Sequence, residues 1–420
     1  MIPDILKRAS SLSIGGSSEM TLQGLLEIVR KHLNMDVAFV SHFLDGERVF
    51  LNVDTRSDAS SIKPGDADLM EDSYCARIAD GRLPEFIPDT SLIEQTREMP
   101  VTGDLCIASY MGVPITLSTG EVFGTFCCFS HDVDTEIQEK DLSLLKTFAD
   151  VASSIIEPKL QRRRDLSVVR ERINRVISDD ALTIVYQPVY RLHDNRLAGW
   201  EALSRFAGEP KRPPNEWFDD AAKVGLGKEL EFAALRKAAS AMSEFRSYLG
   251  LSINLSPSSI LSPEFAEHME GLRLNRLAIE VTEHEAVENY SELIEALAPF
   301  RKKGLWLAVD DAGAGHSSFR HVLDLKPDVI KLDMSITRNV DSDPGRFALA
   351  KAFTAFARSI GSEVLAEGIE TEQELNALRE VGISKVQGYL VGRPVPWAEA
   401  CEGQGVIPPV LQQARQALAG

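Results

Sequence analysis

The chain has 420 residues, with 45 basic and 63 acidic side chains and a net charge of −18 at pH 7. That length suits two or three domains, and 44% apolar residues is enough for sizeable cores. The acidic balance speaks against a binder of nucleic-acid polymers, which normally carries a basic face, and no apolar run approaches the roughly 20 residues of a membrane span.

The N-terminus, MIPDILKRASSLSIGGSS, lacks the sustained apolar stretch of a secretory signal. A bacterial-type cytoplasmic location is the expectation, with no membrane partner. Residues 1–17 end in Ser and Gly and read as a flexible tail. The next segment, MTLQGLLEIVRKHLNM, spaces Leu22, Leu25, Leu26, Val29 and Leu33 as one face of a helix. DVAFVSHFLDG and ERVFLNVD are strand-like, with an Asp-Gly turn between them. MEDSYCARIADG is expected to be helical. FIPDT and SYMGVPITLSTGEVFGTFCCFS are expected to be strands, the latter a hairpin turned at Gly120. Together these make an α+β pattern on an antiparallel sheet.

The segments SYCARIADGRLPEFIPDT and SYMGVPITLSTGEVFGTFCCFS also resemble a GAF domain, over roughly residues 18–157. The resemblance implies a sensory pocket for a small molecule, or a structural role holding a homodimer together. The five cysteines, Cys75, Cys106, Cys127, Cys128 and Cys401, form no CxxC pair, so neither a disulfide framework nor a zinc site is expected. Cys127 and Cys128 are adjacent in a strand, point to opposite faces and read as small core residues, with redox or ligand sensing as the alternative. Cys75 and Cys106 are weak candidates for attaching a tetrapyrrole.

Residues 139–178 carry a helical apolar stripe of Leu142, Leu145, Ala149, Ala152 and Ile156, resumed by Leu166, Val169, Ile173 and Val176. Pro158 is expected to bend or break this helix, giving a helical linker over 158–180 that can pair two subunits. The basic run Arg162–Arg164 reads as a solvated face.

From about 181 to 400, strand-like runs alternate with helices, and 401–420 form a C-terminal tail. The runs are TIVYQPVY, RLAGWEALSRF, LGLSINLS, RLAIEVTE, LWLAVDD, DVIKLD, SEVLAEGI and KVQGYLVG. The first two are too close for a helical crossover and should pair antiparallel. The fold expected is an α/β TIM-like barrel with one antiparallel strand. Glu201, Asn254, Glu280, the pair Asp310 and Asp311, Lys331 and Glu367 sit at the ends of successive runs. Closure would bring these groups to one mouth, where crowded carboxylates need cations between them.

Glu201-Ala202-Leu203 with Arg205, Asn254, Glu280 with Glu283, Asp310-Asp311, Lys331 with Asp333, Glu367 with Glu370, and Gln387 match the EAL family in order. The chain therefore resembles cyclic di-GMP phosphodiesterases. By that resemblance Glu201, Asn254, Glu280 and Asp310 would hold one Mg²⁺ or Mn²⁺, and Asp310 would bridge to a second, held with Asp311. Glu367 would orient or deprotonate the attacking water, or support the second ion. Lys331 would contact the water or the charge developing on phosphorus, and Gln387 would support the centre. Arg205 suits a non-reacting phosphate through its planar fork; Gln187 and Leu203 would line the substrate. Glu283, Gly313 and Gly315 would support a loop over the site. In DDAGAGHSSF, residues Ala312, Ala314 and His316 depart from the commoner DDFGTGYSS, with His316 expected to be a partly exposed loop residue. The expected product is linear 5′-pGpG, under modulation by the GAF segment in a homodimer. The alternative is a catalytically silent cyclic di-GMP receptor that signals to a protein partner.

Overall fold

The computed structural model describes residues 21–56, 62–134, 138–179, 181–282, 290–312 and 318–412. The whole of the expected N-terminal tail, 1–17, and residues 413–420 of the expected C-terminal tail lie outside them. The chain divides into two compact units between Asp165 and Leu166.

The first unit holds a six-stranded sheet of β1 (Val37–Leu44), β2 (Glu47–Thr55), β3 (Ala67–Leu69), β4 (Phe86–Ile87), β5 (Ser109–Thr116) and β6 (Val122–Ser130). Its order is β3-β2-β1-β6-β5-β4, antiparallel throughout. Asp45 (φ 53°) and Gly46 (φ 83°) turn β1 into β2. Positive φ at both positions is the type I′ geometry that matches strand twist. The helix α1 (Leu22–His32) starts at Thr21, whose side chain accepts from Gly24 N. One face of the sheet packs Leu25, Leu26 and Val29 of α1 with Leu145, Ala149, Ala152 and Ile156. The other packs Tyr74, Cys75 and Ile78 of the short helix α2 (Tyr74–Ala79) on Phe39, Phe50, Tyr110 and Cys127.

The expected break at Pro158 does not occur. A single helix, α3, runs from Glu139 to Ser178 with Pro158 inside it. Proline removes one ladder donor and crowds the preceding turn. That turn is held from outside: Ser153 Oγ donates to Thr116 O at 2.9 Å, and Ser118 N donates to Glu157 Oε1 at 3.1 Å. Anchoring and packing against the sheet offset the lost bond.

The second unit is a closed barrel of β7 (Leu182–Arg191), β8 (Leu197–Phe206), β9 (Gly250–Asn254), β10 (Leu277–Thr282), β11 (Trp306–Ala312), β12 (Val329–Leu332), β13 (Glu363–Ala366) and β14 (Lys385–Val386). Neighbours pair in chain order, and β14 closes on β7. Strands β8 to β14 are mutually parallel, while β7 runs antiparallel to both β8 and β14. A short β15 (Val395–Pro396) pairs antiparallel with Val185 and Tyr186 in the first half of β7.

Side chains alternate across each strand. Trp200, Ile253, Ile279, Val309, Ile330, Val364 and Val386 face outward into one large core shared with the helices. Val189, Ala308, Val329 and Leu365 fill the lumen. Two residues on from three of these lumen positions come the polar groups: Asp310 after Ala308, Lys331 after Val329, and Glu367 after Leu365; on the reversed strand β7, Gln187 comes two residues before Val189. Barrel closure and period-two alternation thus direct them to the same mouth.

Candidate active site

Lys331 lies at the centre and is 1% exposed. Its Nζ is 2.7 Å from Glu280 Oε2, 2.8 Å from Glu367 Oε1, 3.0 Å from Asp310 Oδ2 and 3.1 Å from Glu201 Oε1. Four carboxylates therefore face one ammonium in a setting of low dielectric. Burial alone would lower the Lys331 pKa, but Asp310, Glu201, Glu280 and Glu367 outweigh it and hold the lysine well above its usual range. Burial pushes Glu280 well up, and the charges of Glu201 and Asp310 add to that despite Lys331. Burial, with Asp310 and Glu201, lifts Glu367 to about 8. Glu201 moves the other way, because Lys331 and Gln387 overcome its burial. At neutral pH the cluster thus retains protons as well as the ammonium to limit its charge.

Gln387 Nε2 donates to Glu201 Oε2 and, at 3.0 Å, to Gln187 Oε1. Gln187 in turn donates to Gly392 O at 3.2 Å. Gln387 is placed by Gly388, at φ 155°, where a Cβ would come within 2.2 Å of the Ile369 backbone. Asn254 Nδ2 donates to Glu201 Oε1 at 3.5 Å.

Asp310 and Asp311 present a geometric problem, because adjacent strand residues point to opposite faces. The β11–β12 register shifts between Val309 and Ala312, and Asp311 adopts φ 57°. This bulge turns Asp311 toward the mouth, and Asp311 N donates to Asp310 Oδ1 at 2.9 Å. Aspartate tolerates the left-handed conformation better than most side chains.

Two acidic triplets result. Oxygens of Glu201, Glu280 and Asp310 lie within 4.8 Å of one another, as do those of Asp310, Asp311 and Glu367. Asp310 belongs to both. Gln387 Oε1 is buried with no hydrogen-bond partner among the described residues. Hard oxygen donors, surplus negative charge and a shared carboxylate fit hard divalent cations.

A cleft beside the triplets is lined by Leu203, Arg205, Asn254, Glu280 and, on the helix α4 (Gly227–Ser240), Glu231. Arg205 Nη1 donates to Ser204 O at 2.8 Å, which holds the guanidinium at the wall. Glu231 is a residue that sequence reasoning missed. Its Oε2 accepts from both N and Oγ of Ser256 at 2.9 Å, fixing the loop after Asn254. Within KELEFAAL it is indistinguishable from a surface glutamate.

Two other residues of the motif lie apart from the cluster. Asp333 caps a helical turn by accepting from Ser335 N at 2.8 Å, and Glu370 pairs with Arg338. Glu283, Gly313, Gly315 and His316 lie outside the described residues.

A barrel of this topology with two linked acidic triplets at the mouth defines a class, and comparison with known proteins gives the family. The model of the EAL domain matches residues 170–394, more than half of the chain, and the chain belongs to that family. A GAF domain model matches residues 17–156. A signalling protein of Caulobacter vibrioides is 30% identical over 277 residues, covering 62% of this chain and 34% of that protein. The cyclic di-GMP phosphodiesterase NbdA of Pseudomonas aeruginosa is 31% identical over 242 residues, covering 55% and 31%. The chain thus spans about a third of the length of these relatives. Among solved structures, an EAL domain protein from Listeria monocytogenes shares the fold, with a TM-score of 0.52 and 22% identity over 57% of this chain and 98% of that one. Among the described residues, no helix is long and apolar enough to cross a membrane.

Proposed function

We propose that the barrel hydrolyses cyclic di-GMP to linear 5′-pGpG with two Mg²⁺ or Mn²⁺ ions, and that the GAF domain modulates this activity within a cytoplasmic homodimer. The observation that carries the reading is the pair of acidic triplets sharing Asp310. Glu201, Asn254, Glu280 and Asp310 would hold one ion, and Asp310 with Asp311 the other. Bound there, the ions would neutralise the phosphodiester and activate a water.

The protein's own groups do the rest. Glu367 lies with Asp310 and Asp311 in the second triplet, and bound ions would lower its raised pKa, which suits it to orient and deprotonate the attacking water. Lys331 offers an ammonium to the charge that develops on phosphorus as the P–O3′ bond breaks. Gln387 holds Glu201 and Gln187 in register. Arg205 would grip the non-reacting phosphate, and Gln187 and Leu203 would border the nucleotide. The name of the Pseudomonas aeruginosa relative supports the substrate. All the acidic and amide groups of the ligand set are present, which disfavours the silent-receptor alternative.

The test is to incubate the full chain with cyclic di-GMP and Mg²⁺ or Mn²⁺ and to separate the nucleotides by chromatography. pGpG should accumulate, and a chelator should stop it. Tight nucleotide binding with no product under saturating metal would sink the hydrolase reading and restore the receptor. Turnover by residues 170–420 alone, compared with the full chain, tests modulation by the GAF domain.

A further inference from the structure

In the first unit a second buried cation meets a different partner. Arg48, on β2, is 2% exposed. Its Nε donates to Asp68 Oδ1 at 2.8 Å and its Nη2 to Asp68 Oδ2, while its Nη1 lies 3.3 Å from Cys75 Sγ. Its guanidinium stacks 4.3 Å from the centre of the Phe50 ring. Cys75 Sγ is 3.4 Å from Tyr110 Oη and 3.8 Å from Cys127 Sγ. Both cysteines are fully buried. Gly112, on β5, leaves the room that the Cys127 sulfur occupies, since a Cβ there would lie 2.8 Å from Cys127 Sγ.

We propose that Cys75 and Cys127 are a dithiol site that a hydroperoxide oxidises to a disulfide, with Arg48 as the positioning residue. Three observations bring the parts together. The sulfurs are in contact at 3.8 Å, so reaching the disulfide length of about 2.0 Å closes a gap of about 1.8 Å. A permanently charged guanidinium touches only one of the two sulfurs, which divides the roles between them. Burial alone would raise the Cys75 pKa, but the hydrogen bond from Cys127 and the charge of Arg48 hold it well below the ordinary thiol range. Burial and then Cys75 push Cys127 well above that range. Asp68, whose side chain is 40% exposed, links Arg48 to the surface, so the Cys75 sulfur is one guanidinium away from solvent.

The chemistry balances. With hydrogen peroxide, the Cys75 thiolate attacks one peroxide oxygen, the O–O bond breaks, and the departing hydroxide takes a proton to become water. Cys75 is then a neutral sulfenic acid, so the contribution of its charge to holding Cys127 protonated is gone and burial alone remains. Cys127 loses its proton and attacks the Cys75 sulfur; the S–O bond breaks and a second water leaves. Two sulfurs have lost one electron each, and one peroxide has been reduced to two waters. Cys128, the next residue in β6, is held up by burial and faces the opposite core, so it serves as an internal control.

The experiment uses the full chain carrying Cys106→Ser and Cys401→Ser, which removes the two cysteines that are not fully buried. After treatment with hydrogen peroxide and alkylation under denaturing conditions, two of the three remaining thiols should be lost. Peptide mapping should find the missing pair as a Cys75–Cys127 disulfide that dithiothreitol reverses. Adding Cys127→Ser should stop the reaction at a Cys75 sulfenic acid, trapped by a 1,3-diketone. Arg48→Lys should slow oxidation of Cys75 without changing which residues are joined. Full retention of all three thiols, a bond to Cys128, or oxidation only after unfolding would overturn the proposal. The unvaried chain, mapped the same way, keeps the result independent of any folding defect in the variants.

Discussion

Arg48 and Lys331 are both buried cations, yet they solve opposite problems. Arg48 meets one carboxylate and one sulfur, at most two anions against one cation. Lys331 meets four carboxylates, and one ammonium cannot balance them. The first cluster is a closed core element around a reactive pair. The second is left strongly acid at a cleft, which is the condition for drawing in cations. A buried ion pair alone therefore says little about function; the local charge sum does.

The sharpest way to break this comparison is to delete the cations. Lys331→Met in chelator should cost about 3–5 kcal/mol of unfolding free energy, because four carboxylates lose their only ammonium. Denaturant titration reads this, and Mn²⁺ should restore most of it. Glu201→Ala should lower cyclic di-GMP turnover on the order of 100-fold or more at saturating Mg²⁺, by the loss of an ion ligand. Arg48→Met should cost about 1–3 kcal/mol, less than the lysine, since Asp68 can turn to water.

The pH dependence should also separate the two sites. Glu367 and Glu280 have folded pKa values raised above their unfolded ones, so in chelator the folded protein holds more protons than the unfolded chain as pH rises above about 4.5, up to about 8 for Glu367. Their contribution is present at low pH, and stability falls as pH rises through that window, by up to about 1.4 kcal/mol per pH unit per proton. Thermal melts in chelator should show that decline. Mg²⁺ or Mn²⁺ should flatten it, with protons released on binding. A flat profile in chelator would contradict the crowded-acid picture. The smallest effect is expected from Asp311→Gly, which relieves positive φ and should change stability by within about 1 kcal/mol while still lowering turnover. Equal activity would remove Asp311 from the site.

Much of the barrel was legible because a polar group breaks each apolar run, although Glu201 and Glu280 lie inside β8 and β10 and only Glu367 follows its strand, β13. Glu201, Glu280 and Glu367 stand out for that reason, and the antiparallel start follows from the short link between the first two runs. What the letters could not show is the local geometry. That Asp310 and Asp311 share one mouth depends on a left-handed residue, which strict alternation forbids. The position of Lys331 among four acids depends on barrel closure rather than on its neighbours in sequence. Glu231 sits in a helix where nothing marks it from solvent-facing glutamates. The unbroken helix through Pro158 was misread because a local rule yielded to anchors from Thr116 and Ser118, which lie far away in sequence.

The kink in β11 has a consequence for how the barrel can change. Because the strand is counted in twos, one residue added or lost before Val309 would swap the acids with their aliphatic neighbours, placing carboxylates in the oily layer and methyl groups at the opening. Length in that stretch is therefore constrained as tightly as identity.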